Sequence, residues 1–132
     1  MVFDATALVA FFEDRPGADQ VQQLIELALV KKRELMITVV NLGEVYYAAR
    51  RAHGSEAAAR VLSTIRQLPI KVIDADSELV VAAAQLRAEH NISYTCCFAA
   101  ALARLRKATL VGSPRDFRAV QDQVSFTGID RG

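Results

Sequence analysis

Short apolar runs alternate with longer segments of helical periodicity throughout this sequence, and that alternation constrains the fold more than any other feature. The pattern predicts five short strands, the last of them at an edge of the sheet, at residues 1–3, 35–38, 70–73, 108–111 and 124–126. Helices are predicted between them, at residues 5–12, 16–33, 41–53, 55–68, 78–90 and 93–105. Strands and helices in alternation form a parallel sheet covered by helices on both faces. We therefore predict an α/β fold of three layers around a parallel sheet of four to five short strands.

Asp4 directly follows the first predicted strand. Right-handed crossovers bring the carboxyl ends of all parallel strands to one edge of the sheet, which is where open α/β sheets bind ligands. A carboxylate buried at that edge is costly unless it is paired, hydrogen-bonded or bound to a metal ion. Asp4 is therefore the first candidate site residue. The alternative is that Asp4 only caps the helix beginning at Ala5, because Asp is a good N-cap residue.

Length and composition favour one folded domain that spans residues 1–132. The chain is 52% hydrophobic and carries a net charge of +1, so it has enough apolar material for a core and no general attraction to nucleic acid or membranes. A local basic patch can still bind RNA without a basic total. No apolar run of about 18 residues and no signal-peptide pattern occurs. The two cysteines, Cys96 and Cys97, are adjacent, which favours a reducing, cytoplasmic location.

Three further residues are candidates for a site, and each has a simpler interpretation. Glu44 lies one turn into the third predicted helix beside its apolar stripe, where a carboxylate more often marks the boundary with solvent. Cys96 lies in the first turn of the sixth helix, a position that favours thiolate, although a free cysteine is more often a small buried hydrophobe. Ser113 follows the fourth strand and is equally explained as a turn former.

Two carboxylates from distant parts of the chain, Asp4 and Glu44, would suit Mg²⁺ or Mn²⁺ if both lie near the same edge of the sheet. These ions prefer hard oxygen ligands and retain several water molecules. A bound ion can activate water and stabilise the charge that develops during phosphoryl transfer.

Four segments in order resemble the motifs of PIN domains, specifically those of VapC-type toxins from prokaryotic toxin–antitoxin pairs. The segments are Val2–Ala10, Asn41–Tyr47, Ile92–Ala103 and Ala108–Pro114. The resemblance covers essentially the whole chain. It implies a PIN-like fold, a metal-dependent endoribonuclease that hydrolyses RNA phosphodiester bonds, a cognate VapB-type antitoxin that blocks the site, and a homodimer.

The resemblance carries the family's first two acidic ligands over to Asp4 and Glu44, and a supporting hydroxyl over to Thr6. The third family acid falls on Cys96 and the fourth on Ser113. Asp116, three residues further on, is a candidate substitute. With two of four acids kept, affinity for Mg²⁺ should fall, and a thiolate at position 96 would favour softer ions such as Zn²⁺ or Mn²⁺.

Three hypotheses follow from this incomplete acidic set. The first is a weakened ribonuclease in which Asp4 and Glu44 hold Mg²⁺ or Mn²⁺ and Asp116 or Ser113 assists through water. The second is a catalytically silent PIN module that binds an antitoxin or RNA without cleaving. The third is a thiol-based redox or soft-metal sensor that uses Cys96.

Overall fold

The computed structural model describes residues 1–129, and every structural statement below refers to that range. Its five strands are β1 (Val2–Phe3), β2 (Leu35–Thr38), β3 (Ile70–Ile73), β4 (Leu110–Gly112) and β5 (Phe126–Gly128). Its α-helices are α1 (Ala5–Phe12), α2 (Ala18–Lys31), α3 (Val39–His53), α4 (Ser55–Gln67), α5 (Ser77–Glu89), α6 (Tyr94–Arg106) and α7 (Pro114–Phe117), and a 3-10 turn follows at Arg118–Val120.

All five strands form one parallel sheet in the order β3-β2-β1-β4-β5. The two-residue strand β1 lies at the centre, where Val2 pairs with Met36 on one side and Leu110 on the other. Strand β5 is an edge strand, as predicted. The predicted parallel sheet of an α/β fold is therefore confirmed.

Alternate residues of each inner strand point to opposite faces of the sheet, and each face has its own buried core. Val2, Met36 and Leu110 pack with residues of α5 and α6. Phe3 and Val111 pack on the other face with residues of α1, α2 and α3. This alternation is the normal period of two of a β-strand. Two helical layers with the sheet between them give the predicted three layers.

The start of α3 differs from the prediction of a helix at residues 41–53. The helix begins at Val39 directly after β2, and the Thr38 side chain accepts a hydrogen bond from the Asn41 N–H. Thr38 is extended, so the last strand residue is itself the cap and no loop separates β2 from α3. The prediction that α2 starts at Pro16 was also wrong, since that helix begins after Gly17, whose φ is 98°.

Strands β4 and β5 lie about two residues later than predicted. Lys107 ends α6 in the left-handed conformation, and its neighbours Ala108 and Thr109 connect that helix to the strand. The short helix α7 was not predicted, because Ser113–Pro114 read as a turn. Within residues 1–129, none of the helices is both long and apolar enough to cross a lipid bilayer.

Candidate functional site

Asp4 lies at the carboxyl end of the central strand β1 and is only 2% exposed. Its Oδ1 accepts a hydrogen bond of 2.9 Å from the Ala7 N–H, so Asp4 is the N-cap residue of α1. The interpretation of Asp4 as a helix cap is thus confirmed. The cap uses one carboxylate oxygen, and it leaves open a second role for the same buried group.

Gly112, at the end of β4, lets the Asp4 side chain lie against the neighbouring strand. A Cβ at position 112 would be 2.9 Å from both Cγ and Oδ2 of Asp4, and 2.6 Å from Cε2 of Phe117. Both distances are too short for any side chain. Sequence reasoning treated Gly112 only as part of a turn, because close approach to a residue 108 positions earlier leaves no local signal.

The surroundings of Asp4 raise the pKa of its carboxyl from 3.8 to about 7. Burial is the largest cause, since it penalises the charged form. Hydrogen bonds from Ala7 and Thr6 act in the opposite direction, and the negative charges of Asp116 and Glu44 raise the pKa further. Asp116 on α7 and Glu44 on α3 are therefore close enough to act on the charge of Asp4, which lies at the end of β1.

Glu44 is half-buried on α3, at the boundary with solvent that its place beside the apolar stripe indicated. Its Oε1 accepts a hydrogen bond of 2.9 Å from Nδ2 of Asn41. The side chain is thus held near its own helix while it still affects the pKa of Asp4.

Asp116 reaches the same region from α7, the helix missed by sequence reasoning. Oγ1 of Thr6 donates a long hydrogen bond of 3.4 Å to Oδ2 of Asp116. Thr6 also lies close enough to Asp4 to lower the pKa of that carboxyl. A hydroxyl group on α1 therefore lies near two of the carboxylates.

The surroundings of Cys96 act against the thiolate that its place at a helix N-terminus favours. Its backbone N–H donates to Oγ of Ser93, the N-cap residue of α6, so the thiol does lie in the first helical turn. Burial nevertheless raises the pKa of the Cys96 thiol to about 12, and the charges of Asp4, Asp116 and Glu44 act in the same direction. A neutral thiol is a poor nucleophile and a poor metal ligand.

Ser113 is fully buried between β4 and α7. Its carbonyl oxygen accepts hydrogen bonds from the N–H groups of Asp116 and Phe117, at 3.1 and 3.3 Å. These contacts agree with the simpler interpretation of Ser113 as a turn former, and they fix the direction in which α7 leaves the sheet.

The carboxylates of Asp4, Glu44 and Asp116 suit a hard metal ion that keeps most of its water molecules better than an ion enclosed by protein ligands. Across residues 1–129, no three His, Cys, Asp or Glu side chains are grouped closely enough to enclose a metal ion. Mg²⁺ commonly binds through one or two carboxylates and keeps several water molecules. A cation beside Asp4, Glu44 and Asp116 would also offset their mutual repulsion. Oxygen donors of this kind therefore suit Mg²⁺ or Mn²⁺.

Together these features define a class of protein: an α/β domain whose parallel sheet presents carboxylates and hydroxyls at its carboxyl edge. The family model for the PIN domain matches residues 1–123. The chain therefore belongs to the PIN domain family.

Solved structures of toxin–antitoxin proteins share this fold over nearly the whole chain. VapBC2 from Rickettsia felis, bound to a DNA fragment from its promoter, matches with a TM-score of 0.79 and 20% identity, covering 98% of this chain and 100% of the other. DNA-bound VapBC from Salmonella typhimurium matches with a TM-score of 0.79 and 17% identity, covering 98% and 97%.

A third match is VapC20 from Mycobacterium tuberculosis, described as a toxin that cleaves the sarcin-ricin loop. Its TM-score is 0.67 at 16% identity, and the match covers 83% of this chain and 87% of the other. At these identities the similarity establishes the fold alone. No curated protein sequence matches the chain.

Proposed function

We propose that this protein is a VapC-type toxin, an endoribonuclease that uses Mg²⁺ or Mn²⁺ to hydrolyse RNA phosphodiester bonds. The observation that carries the proposal is the position of Glu44 and Asp116 near Asp4 at the carboxyl edge of the sheet, supported by the Thr6–Asp116 hydrogen bond and by the effect of both charges on the Asp4 carboxyl. Membership of the PIN family over residues 1–123 supports it. The RNA-cleaving description of the M. tuberculosis structure adds support from a protein of the same fold.

In this proposal Asp4 and Glu44 hold the metal ion, and Asp116 acts through a water molecule. The ion, when bound, supplies an activated water and stabilises the negative charge of the transition state. Thr6 keeps Asp116 turned toward Asp4 through its hydroxyl. Ionised Asp4 is the competent ligand, and a cation favours that form against the burial that opposes it.

We further propose that catalysis is weakened. By the resemblance, Cys96 and Ser113 fall on the positions of the third and fourth family acids; neither is a carboxylate, and burial raises the pKa of the Cys96 thiol to about 12. The loss of two charges lowers the attraction for a divalent cation. The same observation favours the second candidate function, a catalytically silent PIN module that binds an antitoxin or RNA without cleaving.

The proposed partners are an RNA substrate, a VapB-type antitoxin and a second copy of the chain. The matched Rickettsia and Salmonella structures are VapBC proteins, which supports the antitoxin. A cytoplasmic location and a single domain over residues 1–132 complete the proposal.

RNA cleavage by Asp4→Asn and Asp76→Asn variants tests the proposed function. Both residues are N-cap aspartates, since Asp76 accepts from the Leu79 N–H at 2.9 Å just as Asp4 accepts from Ala7. Asn also caps helices well, so each change removes a charge and keeps the cap. We expect cleavage in Mg²⁺ or Mn²⁺, none with chelator, a loss of at least about 100-fold in Asp4→Asn, and little change in Asp76→Asn.

Two results would contradict the proposed mechanism. Metal-dependent cleavage that persists in Asp4→Asn would remove Asp4 from it. Folded, antitoxin-free wild-type protein that cleaves RNA in neither metal would favour the silent module instead.

A further inference from the structure

Asn41 is almost completely buried, with 1% exposure, at the junction of β2, α3 and α6. Its Nδ2 donates one hydrogen bond to Oε1 of Glu44 at 2.9 Å and another to the carbonyl oxygen of Thr95 at 3.0 Å. Its Oδ1 accepts from the Thr38 hydroxyl. The amide thus uses both of its donors and its acceptor on three different partners.

Helix capping does not explain this side chain. The cap of α3 is the Thr38 hydroxyl, which accepts from the Asn41 backbone N–H, a group that every residue except proline has. An alanine at position 41 would satisfy that cap equally well. The buried amide therefore serves the contacts that it makes beyond the cap, to Glu44 and to Thr95.

We propose that Asn41 is a positioning residue, which orients the Glu44 carboxylate toward Asp4 and fixes its distance from the first turn of α6. The inference rests on the proposed function, because it assigns Asn41 a role in metal binding through Glu44. One N–H holds Oε1 and leaves Oε2 for the ion. The other N–H holds the carbonyl of Thr95, the residue before Cys96.

An amide suits this task better than a basic side chain. Glu44 has three rotatable bonds and lies at the boundary with solvent, so its carboxylate would sample many positions without a fixed partner. A lysine or arginine would fix it as well, but would neutralise the charge that attracts a cation. Asn41 orients the carboxylate and leaves its negative charge in place.

A double-mutant cycle separates positioning from stability. Asn41→Leu removes the donors and keeps the number and branching of the side-chain heavy atoms, and Glu44→Gln removes the charge that Asn41 is proposed to place. Because Asn41→Leu also leaves the Thr95 carbonyl and the Thr38 hydroxyl without their partner, it should destabilise the fold whatever the role of Glu44. The informative quantity is therefore the coupling between the two changes in Mn²⁺ affinity.

The measurement is Mn²⁺ binding to the full chain by electron paramagnetic resonance, with Mn²⁺ as the only added ligand. We expect Asn41→Leu to weaken binding by about 10-fold in the wild-type background, as is typical for a residue that orients a ligand. In the Glu44→Gln background it should change binding by less than about twofold. Asn91→Leu, at an exposed asparagine, is the matched control.

The other outcomes would contradict either the positioning role of Asn41 or the role of Glu44 in metal binding. Equal losses in both backgrounds, or no loss in the wild-type background, would overturn the positioning role and leave the metal site intact. Unchanged affinity in Glu44→Gln alone would overturn both the inference and the role of Glu44 in the proposed function. If Asn41→Leu does not fold by circular dichroism, Asn41→Ser, which is too short to reach Glu44, replaces it in the same cycle.

Discussion

At the scale of single residues, Asp4 combines two roles that usually occur apart. It caps α1 through Oδ1, and it is the buried carboxylate around which Glu44 and Asp116 gather. Capping holds the group in place, while burial and the neighbouring charges raise its pKa to about 7. The stability of the metal-free protein should therefore depend on pH through this one residue.

The sign of that dependence follows from the raised pKa. Between about pH 4 and pH 7 the folded protein holds a proton on Asp4 that the unfolded chain releases, so stability falls as pH rises through this window. Asp4→Asn lacks the titrating group. We expect the free energy of unfolding of wild type, relative to Asp4→Asn, to drop by about 2 to 3 kcal/mol from pH 5 to pH 8.

Urea unfolding with chelator, at both pH values, measures this difference. Added Mg²⁺ should reduce it if the ion binds ionised Asp4. A constant difference across the range would mean that the Asp4 carboxyl titrates normally.

Cys96 offers a gain-of-function test at the same scale. Cys96→Asp adds a charge where the family has its third acid, so it should tighten Mn²⁺ binding by about 10-fold or more and raise the rate of RNA cleavage. Cys96→Asn, of similar size and neutral, is the matched control and should do neither. If the two variants behave alike in calorimetric titration with Mn²⁺, position 96 does not contribute to the site.

At the scale of elements, strand β4 ends in a glycine because two side chains pack against that position. Gly112 leaves room for Asp4 and for the Phe117 ring of α7. Gly112→Ala places a Cβ too close to both, so both side chains or the strand itself must shift, and we expect a loss of about 1 to 3 kcal/mol in the free energy of unfolding. Thermal and urea unfolding measure this loss.

Gly43 on α3 is the matched glycine, since a Cβ there would meet nothing within 4 Å. Gly43→Ala should stabilise the protein by about 0.5 to 1 kcal/mol through helix propensity. Equal effects of the two changes would mean that Gly112 is not needed for the contact between β1 and β4.

Local sequence predicted most elements well because their signals are local. The helical stripes and the central strands all rest on neighbouring residues. The predicted ends of the elements were less accurate. Strand β2 continues directly into α3 at Thr38, and β4 begins only at Leu110. Both boundaries depend on pairing with distant strands, which periodicity does not record.

At the scale of the whole molecule, the candidate site likewise depends on contacts between distant parts of the chain, which local sequence does not record. The alternation of strands and helices predicted the parallel sheet and placed Asp4 at its carboxyl edge. The apolar stripe of the third helix brought Glu44 into consideration, and the resemblance to PIN domains added Asp116. The hydrogen bonds of the Asn41 amide and the raised pKa of the Cys96 thiol depend on residues from several elements, so only the assembled fold revealed them.

The central position of β1 has a consequence for how the protein is made. Strand β1 lies far before its second neighbour β4 in the chain, and the Thr6–Asp116 hydrogen bond joins residues 110 positions apart. Contacts of such separation slow folding. A nascent chain that stops short of α7 lacks Asp116. Any RNA cleavage that depends on Asp116 therefore begins only after α7 has emerged from the ribosome that translates it.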